Sequence, residues 1–182
     1  MALRNVLKEG DESLLKKSRP ITRFNERLFE LLDDMKETMM ASNGVGLAAP
    51  QVGVLRRVVV VLDVDTDEVI ELINPEILSA DGEQDGPEGC LSLPDVWGFV
   101  KRPDHVIVKA QDRNGDEFTV EGFDLLARAF CHECDHLDGI LFREHVYKFL
   151  TQEELNEYYA QQEAEYEDDE FEEEFLEDGD EE

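Results

Sequence analysis

The segment His132-Glu133-Cys134-Asp135-His136 restricts this chain more than any other feature, because it lies inside a stretch whose apolar residues recur at helical spacing. Each helical residue turns by about 100°, so two histidines four apart differ by about 40° and share one face, one turn apart. Both imidazoles can reach the same cation. Glu133 sits beside that face, placed to act on a metal-bound water without ligating the metal. The plain alternative is a surface helix with two unrelated histidines. The chain has only 4 histidines, and two of them fall in this register, which favours a metal. A catalytic metal of this kind takes three protein ligands and keeps one position open. The third donor must come from elsewhere, and Cys90, His105, His145 or a carboxylate could supply it.

The cysteines narrow the choice. There are 3 of them, an odd number, so they cannot all pair internally, and metal binding or catalysis is a better reading than a disulfide framework. Cys134 lies about 200° around the helix from His132 and cannot share its metal. Cys131 and Cys134 read as packed thiols. Cys90 sits in Pro87-Glu88-Gly89-Cys90-Leu91-Ser92, a Gly-containing loop that permits close backbone approach; taken alone it fits a small buried hydrophobe equally well. A third segment, GVGLAAPQ at 44–51, lacks the GK[ST] ending of a phosphate loop. Its small residues let an extended backbone run close to a substrate or to the metal helix, and Gln51 offers an amide donor. The plain alternative is a tight turn entering the next strand.

Leu28, Leu32, Met35 and Met39 predict a helix from about Phe24 to Ala41, stopped by Asn43-Gly44. Arg57–Asp63 and Val69–Asn74 read as strands, the second ending before Pro75. His105–Arg113 and Glu117–Glu121 flank Asn114-Gly115 as a hairpin. Phe123–Leu137 is helical and ends at Asp138-Gly139. Thr151 and Glu154 form a capping box for a last helix, with Leu150 and Leu155 as its hydrophobic staple. Strands clustered early and helices at both ends imply an α+β fold rather than alternating βαβ units. The expected organisation is one folded domain over residues 1–150, a C-terminal helix over 151–165, and a disordered acidic tail over 166–182.

Charge excludes some functions. The net charge is −29, and residues 151–182 carry 17 acids with no Lys or Arg. Phosphate backbones and anionic lipids should repel such a chain, so neither DNA binding nor membrane binding is expected. The longest apolar run, Val58 to Leu62, falls far short of the roughly 18 residues of a membrane span. The N-terminal sequence has no long apolar core followed by a cleavage site, so a cytoplasmic address is expected.

Taken in order, GVGLAAPQ at 44–51, EGCLS at 88–92 and HECDH at 132–136 resemble the peptide deformylases, whose motifs run G-x-G-x-A-A-x-Q, E-G-C-x-S and H-E-x-D-H. The resemblance covers roughly residues 1 to 150. It implies antiparallel sheets packed around a central helix that carries the two histidines. It implies a metal-dependent hydrolase, cytoplasmic and acting in protein biosynthesis, that removes the N-formyl group from the formyl-methionine of new polypeptides and releases formate. The implied metal is Fe²⁺, with Zn²⁺, Ni²⁺ or Co²⁺ able to take its place, held by Cys90, His132 and His136. A metal-bound water would be the nucleophile and Glu133 the general base and acid. Gln51 and the Leu91 N–H would donate to the formyl oxygen. Val45, Gly46 and Gly89 would pair with the peptide, and Val45, Leu125 and Ala129 would hold the methionine side chain, with Arg128 near the substrate backbone. Glu88, Arg102 and Asp135 are candidates to orient the metal helix. Cys134 departs from the apolar residue of many relatives. The acidic tail departs further: the last 32 residues have no Lys or Arg, so a ribosome contact, though possible for the chain, is not supported by this tail. Two other readings compete: a zinc protease cutting internal bonds, and a metal-stabilised binding protein with a closed coordination sphere. The first would usually take its third ligand, a His or Glu, from downstream of the helix, and both EGCLS and GVGLAAPQ argue against it.

Overall fold

A computed structural model describes residues 2–177, giving the backbone alone from residue 167 onward. Its elements, in chain order, are α1 (Glu26–Ala41), β1 (Gly46–Ala48), β2 (Val58–Asp63), β3 (Glu68–Asp81), β4 (Gln84–Cys90), β5 (Leu93–Arg102), β6 (His105–Gln111), β7 (Glu117–Phe123), α2 (Asp124–Leu137), β8 (Lys148–Leu150) and α3 (Gln152–Glu177). The α+β expectation holds: one antiparallel sheet runs β1-β2-β3-β6-β7 and a second runs β4-β5-β8.

Four consecutive valines explain the layering. Val58, Val59, Val60 and Val61 are all fully buried. Side chains alternate between the two faces of a strand, so such a run needs cover on both. Val59 and Val61 pack with Phe130 and Leu137 of α2. Val58 and Val60 pack with Leu28, Leu32, Met35 and Met39 of α1. Helix α2 is thereby buried on one face of the larger sheet. A third cluster, with Leu14, Val100 and Phe142, seats the smaller sheet.

Helix ends follow their local chemistry. The Asn25 side chain accepts from the Leu28 N–H and starts α1 at Glu26, two residues after the expected Phe24. Asn43 takes a left-handed φ of 53°, and the Gly44 N–H donates to the Met39 carbonyl. Thr151 and Glu154 make both bonds of the capping box, at 2.8 and 3.2 Å. Leu150 and Leu155 are buried beside it.

Several boundaries differ from expectation. Strand β3 does not stop before Pro75; it continues to Asp81 through register shifts between Ile73 and Glu76 and between Ile77 and Ser79. Asn74 has a positive φ of 52° there and binds Ile21 and Gln111 through its side chain. Proline is tolerated in a strand at such a bulge. Cys90 is not in a loop but ends β4, and only Leu91 and Ser92 turn into β5. Gly and Pro in QDGPEGC hide this strand from a propensity argument. Helix α3 begins at the expected cap but runs to Glu177 rather than 165, through a Glu-rich segment with no Gly or Pro. Residues 178–182 of the expected tail lie outside the described residues.

Gly139 closes α2 with φ at 74°, and a Cβ there would lie 2.5 Å from the Leu15 carbonyl oxygen. Both the positive φ and this contact oppose any side chain. Gly139→Ala should therefore destabilise the fold by more than about 1 kcal/mol, read as a lower denaturant midpoint with an unchanged slope.

Candidate metal centre and active site

Helix α2 places His132, Glu133 and His136 in the interior, and the end of β4 delivers Cys90 to them. One ligand atom from each of Cys90, His132 and His136 lies within 4.8 Å of the others, and the Cys90 Sγ is 3.3 Å from His136 Nε2. Of the candidates for the third donor, Cys90 is the one brought beside the two histidines. His105 is engaged elsewhere, 3.2 Å from Glu121 and stacked on Phe123. His145 binds Asp135 at 3.1 Å. Cys131 and Cys134 are buried, and burial pushes their thiols up to about 11 and about 12, as suits packing rather than ligation.

A thiolate and two imidazoles suit a borderline-soft divalent cation with room for a fourth partner. A second observation agrees. Glu133 is buried, yet among the described residues its Oε2 has no hydrogen-bond partner. Burial raises its carboxyl to about 7, with the His132 charge acting in the opposite direction. A buried, unpaired carboxylate oxygen is costly and is found where it serves something other than stability.

Behind these three residues lies a dense ionic cluster. The His132 Nδ1 is 3.0 Å from Glu88 Oε2. A carboxylate only accepts, so Nδ1 carries the proton and Nε2 is free to ligate. Glu88 also accepts from Arg102 Nε at 2.8 Å and from Arg128 Nη1 at 2.9 Å. Arg102 Nη1 in turn reaches Asp135 at 2.7 Å. Burial alone would raise the Glu88 pKa, but the bonds from His132 and Arg102 outweigh it and hold the carboxylate well below its usual range.

A cavity of about 650 Å³ opens over these groups. Val45, Leu125 and Ala129 line it, as do Gly46, Gly89 and Leu91. Arg128 lines it too, but its guanidinium is turned inward, to Glu88, to the Val100 carbonyl and to Gln84. Gln51 is fixed by its own bonds: Oε1 accepts from the Ala48 N–H at 2.9 Å, and Nε2 donates to Ser92 Oγ at 3.1 Å, 3.6 Å from the Cys90 sulfur. A Cβ on Gly46 would strike the Glu133 carboxylate, and one on Gly89 would strike the Trp97 ring. Glycine is therefore needed at both. Ser92, Lys8, Asp95 and Tyr159 also belong to this site. Sequence reasoning assigned them no role; only Ser92 carried a signal, as the last residue of EGCLS.

Comparisons with known proteins point to one family. The polypeptide deformylase family model matches residues 3–152. The chain is 56% identical over 158 residues to a peptide deformylase of Caldicellulosiruptor bescii, covering 86% of this chain and 93% of that one. It is 57% identical over 155 residues to one from Acetivibrio thermocellus, covering 85% and 90%. Among solved structures, a peptide deformylase from Legionella pneumophila superposes with a TM-score of 0.77 at 41% identity, over 88% of this chain and 98% of that one. One from Thermotoga maritima does so with a TM-score of 0.76 at 36% identity, over 80% and 99%.

Glu88→Gln keeps the shape of the cluster but removes the charge that orders His132. It should weaken divalent-metal retention about 10- to 100-fold, measured by competition with a chelator.

Proposed function

This chain belongs to the peptide deformylase family, and we propose how its own residues carry out that family's reaction. The reaction is hydrolysis of the N-formyl group at the N-terminal formyl-methionine of a newly made polypeptide, releasing formate. One observation carries the assignment of roles: a thiol and two imidazoles converge beside a buried carboxylate whose Oε2 is unpaired.

In our reading Cys90, His132 and His136 hold the metal on which the family depends, and the ion is Fe²⁺. Zn²⁺, Ni²⁺ and Co²⁺ suit the same donors. When bound, the cation supplies Lewis acidity, which lowers the pKa of water and polarises a carbonyl. Glu133 takes the proton from the attacking water and later gives it to the leaving amine. As water adds to the formyl carbon, negative charge grows on the formyl oxygen. The Gln51 amide and the Leu91 N–H donate to it, held ready by bonds made before the substrate arrives. The C–N bond then breaks, formate leaves and the amine is protonated.

Backbone groups of Val45, Gly46 and Gly89 pair with the peptide as a short added strand. Val45, Leu125 and Ala129, with the His132 ring, receive the methionine side chain. Arg128 is a wall of this pocket, holding Glu88 rather than the substrate. No helix among the described residues is long and apolar enough to cross a membrane. We place the enzyme in the cytoplasm, where its nascent-chain substrates are made. Nothing in the acidic C-terminal segment supports docking on ribosomal RNA.

The test is an anaerobic assay of formate release from formyl-methionyl peptides, with elemental analysis of the purified protein and unformylated peptides as controls. Cleavage of the unformylated peptides at internal bonds would overturn the reading in favour of a protease. Glu133→Ala should keep its metal while turnover drops about 10²- to 10⁴-fold, and its melting temperature should hold or rise, because an unpaired buried carboxylate has been removed. Parental activity in that variant would refute the role of Glu133. Cys90→Ser exchanges a soft donor for a hard one, and less metal should survive gel filtration.

A further inference from the structure

The two donors assigned to the formyl oxygen come from separate parts of the chain. Gln51 lies in the turn after β1, and Leu91 lies in the two-residue turn between β4 and β5. Their relative position decides whether one oxygen can meet both. The two segments are tied directly through Gln51 Nε2, which donates to Ser92 Oγ and to the Cys90 sulfur.

Three residues near the N-terminus supply a second tie. The Leu7 N–H donates to the Gln51 carbonyl at 2.7 Å, and the Glu9 N–H donates to the Ser92 carbonyl at 2.8 Å. Between them, Lys8 Nζ donates to the Leu91 carbonyl at 2.7 Å. The bridge is anchored at both ends. Leu7 packs against the cluster of Leu14, Leu93 and Phe142, and Glu9 pairs with Arg143. Lys8 also lines the catalytic cavity. All three successive carbonyl contacts fall on residues that carry or directly flank the proposed donors.

We propose that residues 7–9 form a strap that positions the formyl-oxygen donors, with Lys8 as its positioning residue. The claim rests on the donor roles given to Gln51 and Leu91 above. An ammonium bond to a carbonyl is charge-assisted and shorter-ranged in its tolerance than a neutral one. Here it fixes the Leu91–Ser92 peptide plane in a turn of only two residues, and so restricts the orientation of the Leu91 N–H that precedes it. Donors that are already in place when charge develops add to the rate without reorganising. The strap therefore acts on turnover rather than on substrate affinity.

The experiment compares metal-loaded parent, Lys8→Met and Lys8→Arg. Methionine keeps the apolar stem without a donor, and arginine restores a cationic donor. Lys8→Met should lose about tenfold in kcat with KM, metal content and melting temperature unchanged, the size expected for a slightly misplaced donor. Lys8→Arg should recover most of the loss. The amide ¹⁵N–¹H signals of Leu91 and Ser92 should shift in Lys8→Met and return toward the parent in Lys8→Arg. Parental kcat in Lys8→Met, or a loss confined to KM, would overturn the positioning role. So would unmoved Leu91 and Ser92 amides. If the parent itself released no formate, the deformylase reading would fail, while the amide signals would still decide whether Lys8 holds this turn.

Discussion

The buried carboxylate of Glu88 is the contact on which the arrangement of the site depends. It joins three separate elements: its own strand β4, Arg102 at the end of β5, and Arg128 and His132 on α2. A lone carboxylate in that position would be heavily penalised, and two guanidiniums with an imidazole N–H make it tolerable. Each partner gains a fixed orientation in return. His132 is held with one nitrogen committed, Arg102 is held toward Asp135, and β4 is held against α2 so that Cys90 meets the histidines. Removing one member would leave the others as unpaired buried charges, which is why the cluster behaves as a unit.

In front of that cluster the packing follows a different logic. Glu133 is buried without a full set of partners, and Gly46 is bare of a side chain so that β1 can pass over it. Neither feature adds stability. Both bring a carboxylate and an extended backbone edge into one cavity, the arrangement that the proposed mechanism uses. The surrounding sheet, with valines buried on both faces, carries the stability that the site gives up.

Charge is segregated from this chemistry. Residues 151–182 carry 17 of the chain's 46 acids, most of them along α3. The first turns of that helix still pack on the smaller sheet, where Leu155 is buried and Tyr158 sits edge-on to Phe99. Tyr159 from the same helix reaches the cavity wall. The acidic extension therefore begins from a docked helix, apart from the buried ionic cluster around Glu88.

How much of this the sequence determined depends on how local each cause is. Helix α2, its histidines on one face and the exclusion of Cys134 follow from rotation per residue. The stops at Asn43-Gly44 and Asp138-Gly139, and the capping box at Thr151, follow from contacts within a few positions. The three motifs also carried the family, because their order and residue types are written in the chain itself. Strands β4 and β5 were not legible in the same way. Gly and Pro depress the strand signal there, and pairing with distant partners overrides it. The same holds for β3 running through Pro75, which needs Asn74 bound to Ile21 and Gln111. Helix geometry alone left Cys90, His105, His145 or a carboxylate as candidates for the third donor. The EGCLS motif named Cys90 by resemblance, but only the folded chain brings its sulfur beside the pair, turns Arg128 inward onto Glu88, and lays Lys8 across the Leu91 turn. Those choices depend on distances between segments far apart in the chain, and a linear pattern does not contain them.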